Sequence, residues 1–180
     1  MEFIKTKIAD LLILKPKVFE DKRGYFFESY NKLILAKENI MTDFVQINES
    51  KSLKNVLRGL HFQHPPYAQA KLVRVIKGSV LDIAVDIRKS SPTYGKWHSI
   101  VLSEKNKMLF YIPIGFAHGF VTLEDNTIFE YLCSNFYNKD SEDAIIWNDE
   151  DININWNVKN PTLSDKDQSG KKFSNFVSPF

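Results

Sequence analysis

Asn55–Arg88, NVLRGLHFQHPPYAQAKLVRVIKGSVLDIAVDIR, is the stretch whose reading decides the fold. After RGLHFQ and two prolines, two strand-like runs meet at Gly78. In the first, Lys71, Val73 and Val75 share one face and Leu72, Arg74 and Ile76 the other, because side chains alternate along an extended chain. In the second, Leu81, Ile83, Val85 and Ile87 form an unbroken apolar face opposite Asp82, Ala84, Asp86 and Arg88. The Lys77-Gly78-Ser79 step between the runs predicts a hairpin. Lys71 stands out because it shares a face with two valines. An ammonium aimed into an apolar interior is costly unless a negative group meets it. Lys71 therefore either lies at a strand end and reaches water along its stem, or meets an anionic ligand or a developing negative charge.

Outward from this stretch the same two-residue period recurs. Residues 1–19 read as one or two edge-type strands punctuated by Pro16. Lys22-Arg23-Gly24 reads as a turn, with Arg23 and Glu28 flanking an aromatic run; on their own, both are ordinary surface charges. Asn31–Ile40 is the one short helix, with Leu33, Ile34 and Ala36 apolar and Asn31 as its cap. Phe44–Glu49 returns to alternation, with Gln46 and Asn48 on one face. Trp97–Leu102, Lys107–Ile112, the segment through Phe116–Val121 and Thr127–Cys133 are further strands. Phe116, His118 and Phe120 share a face, as do Phe129, Tyr131 and Cys133. The tail reads as short turns with a helical turn packed on the barrel. Seven or more short strands with little helix predict an all-β sandwich or barrel. No repeat or linker divides residues 1–180, so one domain is expected.

Composition narrows the function. A hydrophobic content of 43% and a charged content of 26% fit a soluble globular protein. A net charge of +2, with no long basic run, argues against a nucleic-acid partner. The apolar patch Leu11–Leu14 is too short for a membrane span or a secretion signal. One cysteine, Cys133, excludes an internal disulfide and suits a reducing compartment. A cytoplasmic protein is expected.

The four histidines are His61, His64, His98 and His118. Pro113-Gly115-His118 resembles the second metal motif of cupin barrels, but no HxH with a downstream Glu supplies the first, so no metal is expected. There is no GxSxG elbow and no glycine-rich phosphate loop. What remains is a set of titratable groups, His61 and Tyr131 with Arg58 and Lys71 as neighbouring cations. Such a set suits proton abstraction next to a carbonyl. The ketone spreads the carbanion's charge onto oxygen, and cations aimed at that oxygen stabilise the enolate.

RGLHFQ, AQAKLVRVIKGSVLDIAVDIRKSSPTYGKW, YIPIGFAHGF, EYLCSNFY, WNDEDININW and PTLSDKDQ together resemble the successive motifs of the RmlC-type nucleotide-sugar epimerases, the dTDP-4-dehydrorhamnose 3,5-epimerase family. The likeness runs in order from about Pro16 to Gln168. It implies a cupin-like jelly-roll barrel with one or two short helices, a homodimer, no cofactor, and a nucleotide-sugar substrate on the path to a cell-surface polysaccharide. By the same resemblance His61 corresponds to the base that removes the C3 and C5 protons of a 4-keto-6-deoxy sugar. Asp167 corresponds to the carboxylate orienting it, and Tyr131 to the acid on the opposite face. Lys71, with Arg58 and His118, corresponds to groups that hold the C4 oxygen or a nearby phosphate. Arg23, Glu28, Gln46, Asn48, Glu142 and Lys166 match nucleotide-sugar contacts, and Tyr137 matches the aromatic that stacks on the base. Ile47 departs from the family pattern, where an Asp is common. The rivals are a C3-only or C5-only epimerase, an enzyme for a GDP-linked 4-keto hexose or heptose, a metal-dependent cupin enzyme, and a catalytically silent sugar-nucleotide binder.

Overall fold

The computed structural model describes residues 1–180. Its strands are β1 (Glu2–Lys5), β2 (Leu12–Lys15), β3 (Phe19–Asp21), β4 (Gly24–Phe26), β5 (Gln46–Ser52), β6 (Leu57–Gln63), β7 (Lys71–Lys77), β8 (Ser79–Asp86), β9 (Trp97–Ser103), β10 (Leu109–Ile112), β11 (Phe116–Thr122), β12 (Thr127–Cys133) and β13 (Glu142–Ala144). Two short helices, α1 (Lys32–Ala36) and α2 (Asp165–Gln168), complete the framework. A six-stranded sheet in the order β1-β2-β10-β7-β12-β5 faces a five-stranded sheet in the order β13-β6-β11-β8-β9. All pairings between these strands are antiparallel. This is the expected cupin-like jelly roll.

The alternation seen in the sequence positions three apolar layers. Val73, Val75, Phe110 and Phe129 of the larger sheet meet Val80, Ala84, Phe116 and Phe120 of the smaller one. The outer face of the smaller sheet, with Ile83, Val85 and Val121, is covered by Trp156 and Phe176 from the tail. The outer face of the larger sheet packs Leu14, Leu72 and Leu132 under Leu35 and Ile40. Burial on both sides explains why every residue of β8 is buried, including Asp82 and Asp86. Neither carboxylate is left alone: Asp82 meets His118, and Asp86 accepts from Arg88, Ser91 and Thr93.

Three local expectations are corrected. β7 and β8 do not form a hairpin: β7 pairs with β10 and β12, and β8 with β11 and β9. Gly78, at φ +80°, carries the chain from one sheet to the other, and a Cβ there would lie 2.5 Å from Thr127 Oγ1. A single glycine does not supply the two-residue loop that a tight hairpin needs. In α1 the buried residue is Leu35, whereas Leu33 is exposed. Asn31 does cap the helix, its side chain accepting from the Leu33 and Ile34 amides. At the N-terminus, β1 is an edge strand, whereas β2 lies inside the sheet, between β1 and β10.

Candidate active site

Between the two sheets lies a cavity of about 480 Å³. It continues into an inner chamber of about 230 Å³, and Ser50, Arg58, His61, Lys71, Tyr131 and Glu142 line both. The larger sheet contributes Gln46, Asn48 and Ser50 from β5, Lys71 from β7 and Tyr131 from β12; the smaller contributes Arg58 and His61 from β6. His61 and Tyr131 therefore stand on opposing walls of one cavity.

Backbone geometry sets the His61 wall. β6 and β11 run together at two glycines; a Cβ on Gly59 would fall 2.5 Å from the Cα of Gly119, so only glycine permits the approach. That pairing puts His61 in register with His118. Behind His61, Ser164 and Asp167 form a capping box at the start of α2, which fixes the Asp167 carboxylate. Asp167 Oδ1 lies 2.7 Å from His61 Nε2 and accepts from the Gly59 amide at 3.1 Å, while Oδ2 accepts from Ser164 Oγ at 2.5 Å. The carboxylate sits within ion-pair distance of the imidazole but off its N–H direction, so the ring nitrogen makes no aligned hydrogen bond. Burial raises the Asp167 pKa, but the imidazole of His61 beside it and the bonds from Ser164 and Gly59 outweigh it and hold the acid at about 2. The base candidate thus has a fixed negative charge behind it.

The opposing wall behaves differently. Burial pushes the Tyr131 phenol up, with Cys133 adding to the effect and Arg58 and Asn48 opposing it, so the phenol holds its proton at neutral pH. Burial pulls the Lys71 ammonium below the ordinary lysine range, against the pull of Cys133, Asp82 and Glu142. Lys71 is hemmed in by protein yet opens onto the cavity, 5.9 Å from the centre of the Tyr131 ring. Of its two readings, reaching bulk water at a strand end is set aside.

The rim is a connected set. Glu142 on β13 accepts from Tyr137 Oη at 2.9 Å and pairs with Lys166 of α2. Burial raises the Glu142 pKa, but those two bonds more than reverse it. The Tyr137 amide donates to Gln46 Oε1 at 3.0 Å, and Gln46 Nε2 donates to Asn48 Oδ1 at 2.9 Å. Arg58 Nη2 reaches Ser52 Oγ at 3.3 Å. His118 lies on the inner chamber, its Nε2 3.0 Å from each Asp82 oxygen.

Two expected substrate contacts lie elsewhere. Arg23 sits on the β3–β4 hairpin, 86% exposed, paired with Asp21 and lining a separate surface cleft. Glu28 accepts from Asn31 next to α1 and borders a groove with Phe19 and Phe26. Neither lines the central cavity of this chain. Conversely, the sequence reading passed over Ser50, Gln63, Gln69 and Asp82. The first continues the Gln46–Asn48 alternation, which was the available signal; the buried partner of His118 had none. No three His, Cys, Asp or Glu side chains come together as a metal-binding group.

A jelly roll whose inter-sheet cavity joins a histidine–carboxylate couple, a protonated phenol and two cations has the make-up of a proton-transfer enzyme of the isomerase class. Residues 5–175 match the family model for dTDP-4-dehydrorhamnose 3,5-epimerase. The chain therefore belongs to the dTDP-4-dehydrorhamnose 3,5-epimerase family. The enzyme of that name from Shigella flexneri is 56% identical over 174 residues, covering 96% of each chain. The crystal structure of the Elizabethkingia anophelis enzyme superimposes with a TM-score of 0.93 at 47% identity, covering 97% of each chain. The Legionella pneumophila enzyme, solved with dTDP-4-keto-L-rhamnose, gives a TM-score of 0.94 at 42% identity and covers 98% of this chain and 94% of its own.

Proposed function

We propose that this chain inverts C3 and C5 of dTDP-4-dehydro-6-deoxy-D-glucose to give dTDP-4-dehydro-L-rhamnose, using its own side chains as acid and base. The observation that carries the reading is the placement of His61 and Tyr131 on opposite walls of one cavity with Lys71 and Arg58 beside them. His61 takes the proton from the carbon next to the C4 ketone, and the electron pair moves onto the ketone oxygen. Lys71 and Arg58 stabilise that enolate, a contribution of roughly two to three powers of ten per well-aimed donor. Tyr131 then returns a proton to the same carbon from the other side, which inverts it. Solvent then takes the proton from His61 and returns one to Tyr131, and repetition at the second carbon completes the reaction. Asp167 keeps the imidazole oriented and favours its cationic form during each transfer.

The nucleotide sits at the rim, its base on Tyr137 and its diphosphate near Gln46, Asn48 and Lys166. The enzyme works as a homodimer in the cytoplasm, with residues 1–180 forming one catalytic unit. Exposed Phe19, Tyr25 and Phe26 on a hairpin with no covering layer support the dimer. The hairpin delivers Arg23 and Glu28 to the cavity of the other subunit, which reconciles their matched positions with their distance from this one.

Incubation with dTDP-4-dehydro-6-deoxyglucose in D₂O tests the reading. Deuterium at both C3 and C5 is expected. Label at one position makes the chain a single-centre epimerase, exchange only with a GDP-linked sugar moves the substrate class, and no label with either removes the activity.

A further inference from the structure

Ser50 is the one hydroxyl in the protein that is buried and has no hydrogen-bond partner; the only other buried side-chain polar atom in that condition is His61 Nε2. Both belong to residues lining the same inner chamber. The polar row along β5 gives the context. Gln46 is engaged by the Tyr137 amide and by Asn48, and Asn48 reaches towards Cys133 Sγ at 3.8 Å. Ser52, two residues beyond Ser50, accepts from Arg58. Ser50 alone in this row has no protein partner. It lies opposite Phe129, one step deeper than the Asn48–Tyr131 pair. A buried hydroxyl without a partner carries a full desolvation cost, and a protein keeps one where a ligand group completes it.

The chamber's other donors indicate which ligand group that is. Lys71 and Arg58 are cations and suit the ketone oxygen, where negative charge develops. A neutral hydroxyl suits another neutral hydroxyl. A 4-keto-6-deoxyhexose linked through C1 has only two, on C2 and C3, and the C3 hydroxyl changes direction when that carbon inverts. We propose that Ser50 hydrogen-bonds the C2 hydroxyl of the sugar and is the residue by which the enzyme distinguishes 2-hydroxy from 2-deoxy substrates. The proposal rests on the epimerase reading above.

The test compares dTDP-4-keto-6-deoxyglucose with its 2-deoxy analogue, using deuterium uptake from D₂O to obtain kcat/KM for wild type and Ser50→Ala. Wild type should favour the 2-hydroxy sugar by about tenfold, the range of a single neutral hydrogen bond in a dry site. Ser50→Ala should bring the ratio close to one and leave the Kd for dTDP unchanged. It should also raise the melting temperature of the free protein by roughly 2 °C, because it removes a buried hydroxyl without a partner, whereas loss of a purely structural serine would lower it. A preference that survives Ser50→Ala, or equal losses on both sugars, would overturn the assignment and leave the epimerase reading standing. A wild-type enzyme that labels neither sugar would overturn both.

Discussion

Two histidine–aspartate pairs sit side by side in this molecule, on neighbouring strands and in register, yet their exposure differs. The His61 side chain is 26% exposed against a 4% exposed Asp167, and opens onto the cavity. The His118 side chain is 7% exposed against an Asp82 with no exposure, at the inner end of the same cavity. Asp167 is held at about 2 by His61, Ser164 and Gly59 working against its burial. For His118 burial wins over the nearby Asp82, so its imidazole stays neutral into more acidic conditions than usual, with Lys71 and His61 pushing the same way. Like residue pairs thus acquire unlike capacities. The outer pair can take a proton from something in the cavity; the inner one resists protonation and holds the wall in place. Exposure to the cavity, more than the identity of the pair, separates chemistry from scaffolding.

Substitutions should widen or erase this contrast. The largest effect is expected for His61→Ala, with turnover falling by roughly 10²–10⁴-fold, the range for a positioned general base, and with a smaller loss of urea stability than His118→Ala, because Ser164 and the Gly59 amide still bond Asp167. Next is Tyr131→Phe. Inversion, followed by product stereochemistry, should drop by about two orders of magnitude, while proton exchange with solvent falls less, because His61 can still return the proton it removed. His118→Ala should show the reverse profile, costing about 3 kcal/mol in urea unfolding by leaving the buried Asp82 carboxylate without its donor. If His118→Ala proves neutral for stability and His61→Ala does not, the two pairs have been assigned the wrong way round.

Acid should also separate the pairs. Asp167 has a folded pKa below its unfolded one, so its stabilisation, about 2 kcal/mol, is present above pH 4 and is lost as pH falls towards 2. His118 acts at higher pH. Its folded pKa is below the ordinary value, so from about pH 6.5 downward the unfolded chain takes up a proton that the folded chain refuses, and stability falls. Unfolding curves across pH 2–7 should show both phases in wild type, with Asp167→Asn losing the acidic one and His118→Ala the one nearer neutrality. The smallest effect is expected at the rim. Tyr137→Ala should weaken dTDP binding by about 1 kcal/mol, roughly fivefold in Kd, with kcat for the bound sugar little changed.

Much of this was legible in the chain itself, because a period of two survives wherever a strand has one polar face. Thr127–Cys133 has the span read from its alternation, and the shared face of Gln46 and Asn48 followed from the same period, although a period alone does not tell a cavity wall from a solvent face. Local signals failed where distant segments decide the outcome. The Gly78 step looks like a hairpin, but β10 and β12 capture one of its arms and β9 and β11 the other. β13 was not anticipated, since three residues, Glu-Asp-Ala, carry no period and pair only because β6 offers an open edge. Asp82 gave no hint that it would be the buried partner of His118, thirty-six residues on. Arg23 and Glu28, expected at the nucleotide sugar, line surface clefts away from this chain's cavity, and nothing in their own segment told which cleft they would reach. Lys71, flagged from the outset as an ammonium on an apolar face, does border the cavity.

The most direct measurement is solvent deuterium uptake into dTDP-4-dehydro-6-deoxyglucose by His61→Ala and His118→Ala side by side, each at a temperature where it is folded. The account predicts that uptake falls by at least about 100-fold at both C3 and C5 in the first and persists in the second. Uptake at the wild-type rate in His61→Ala would contradict it.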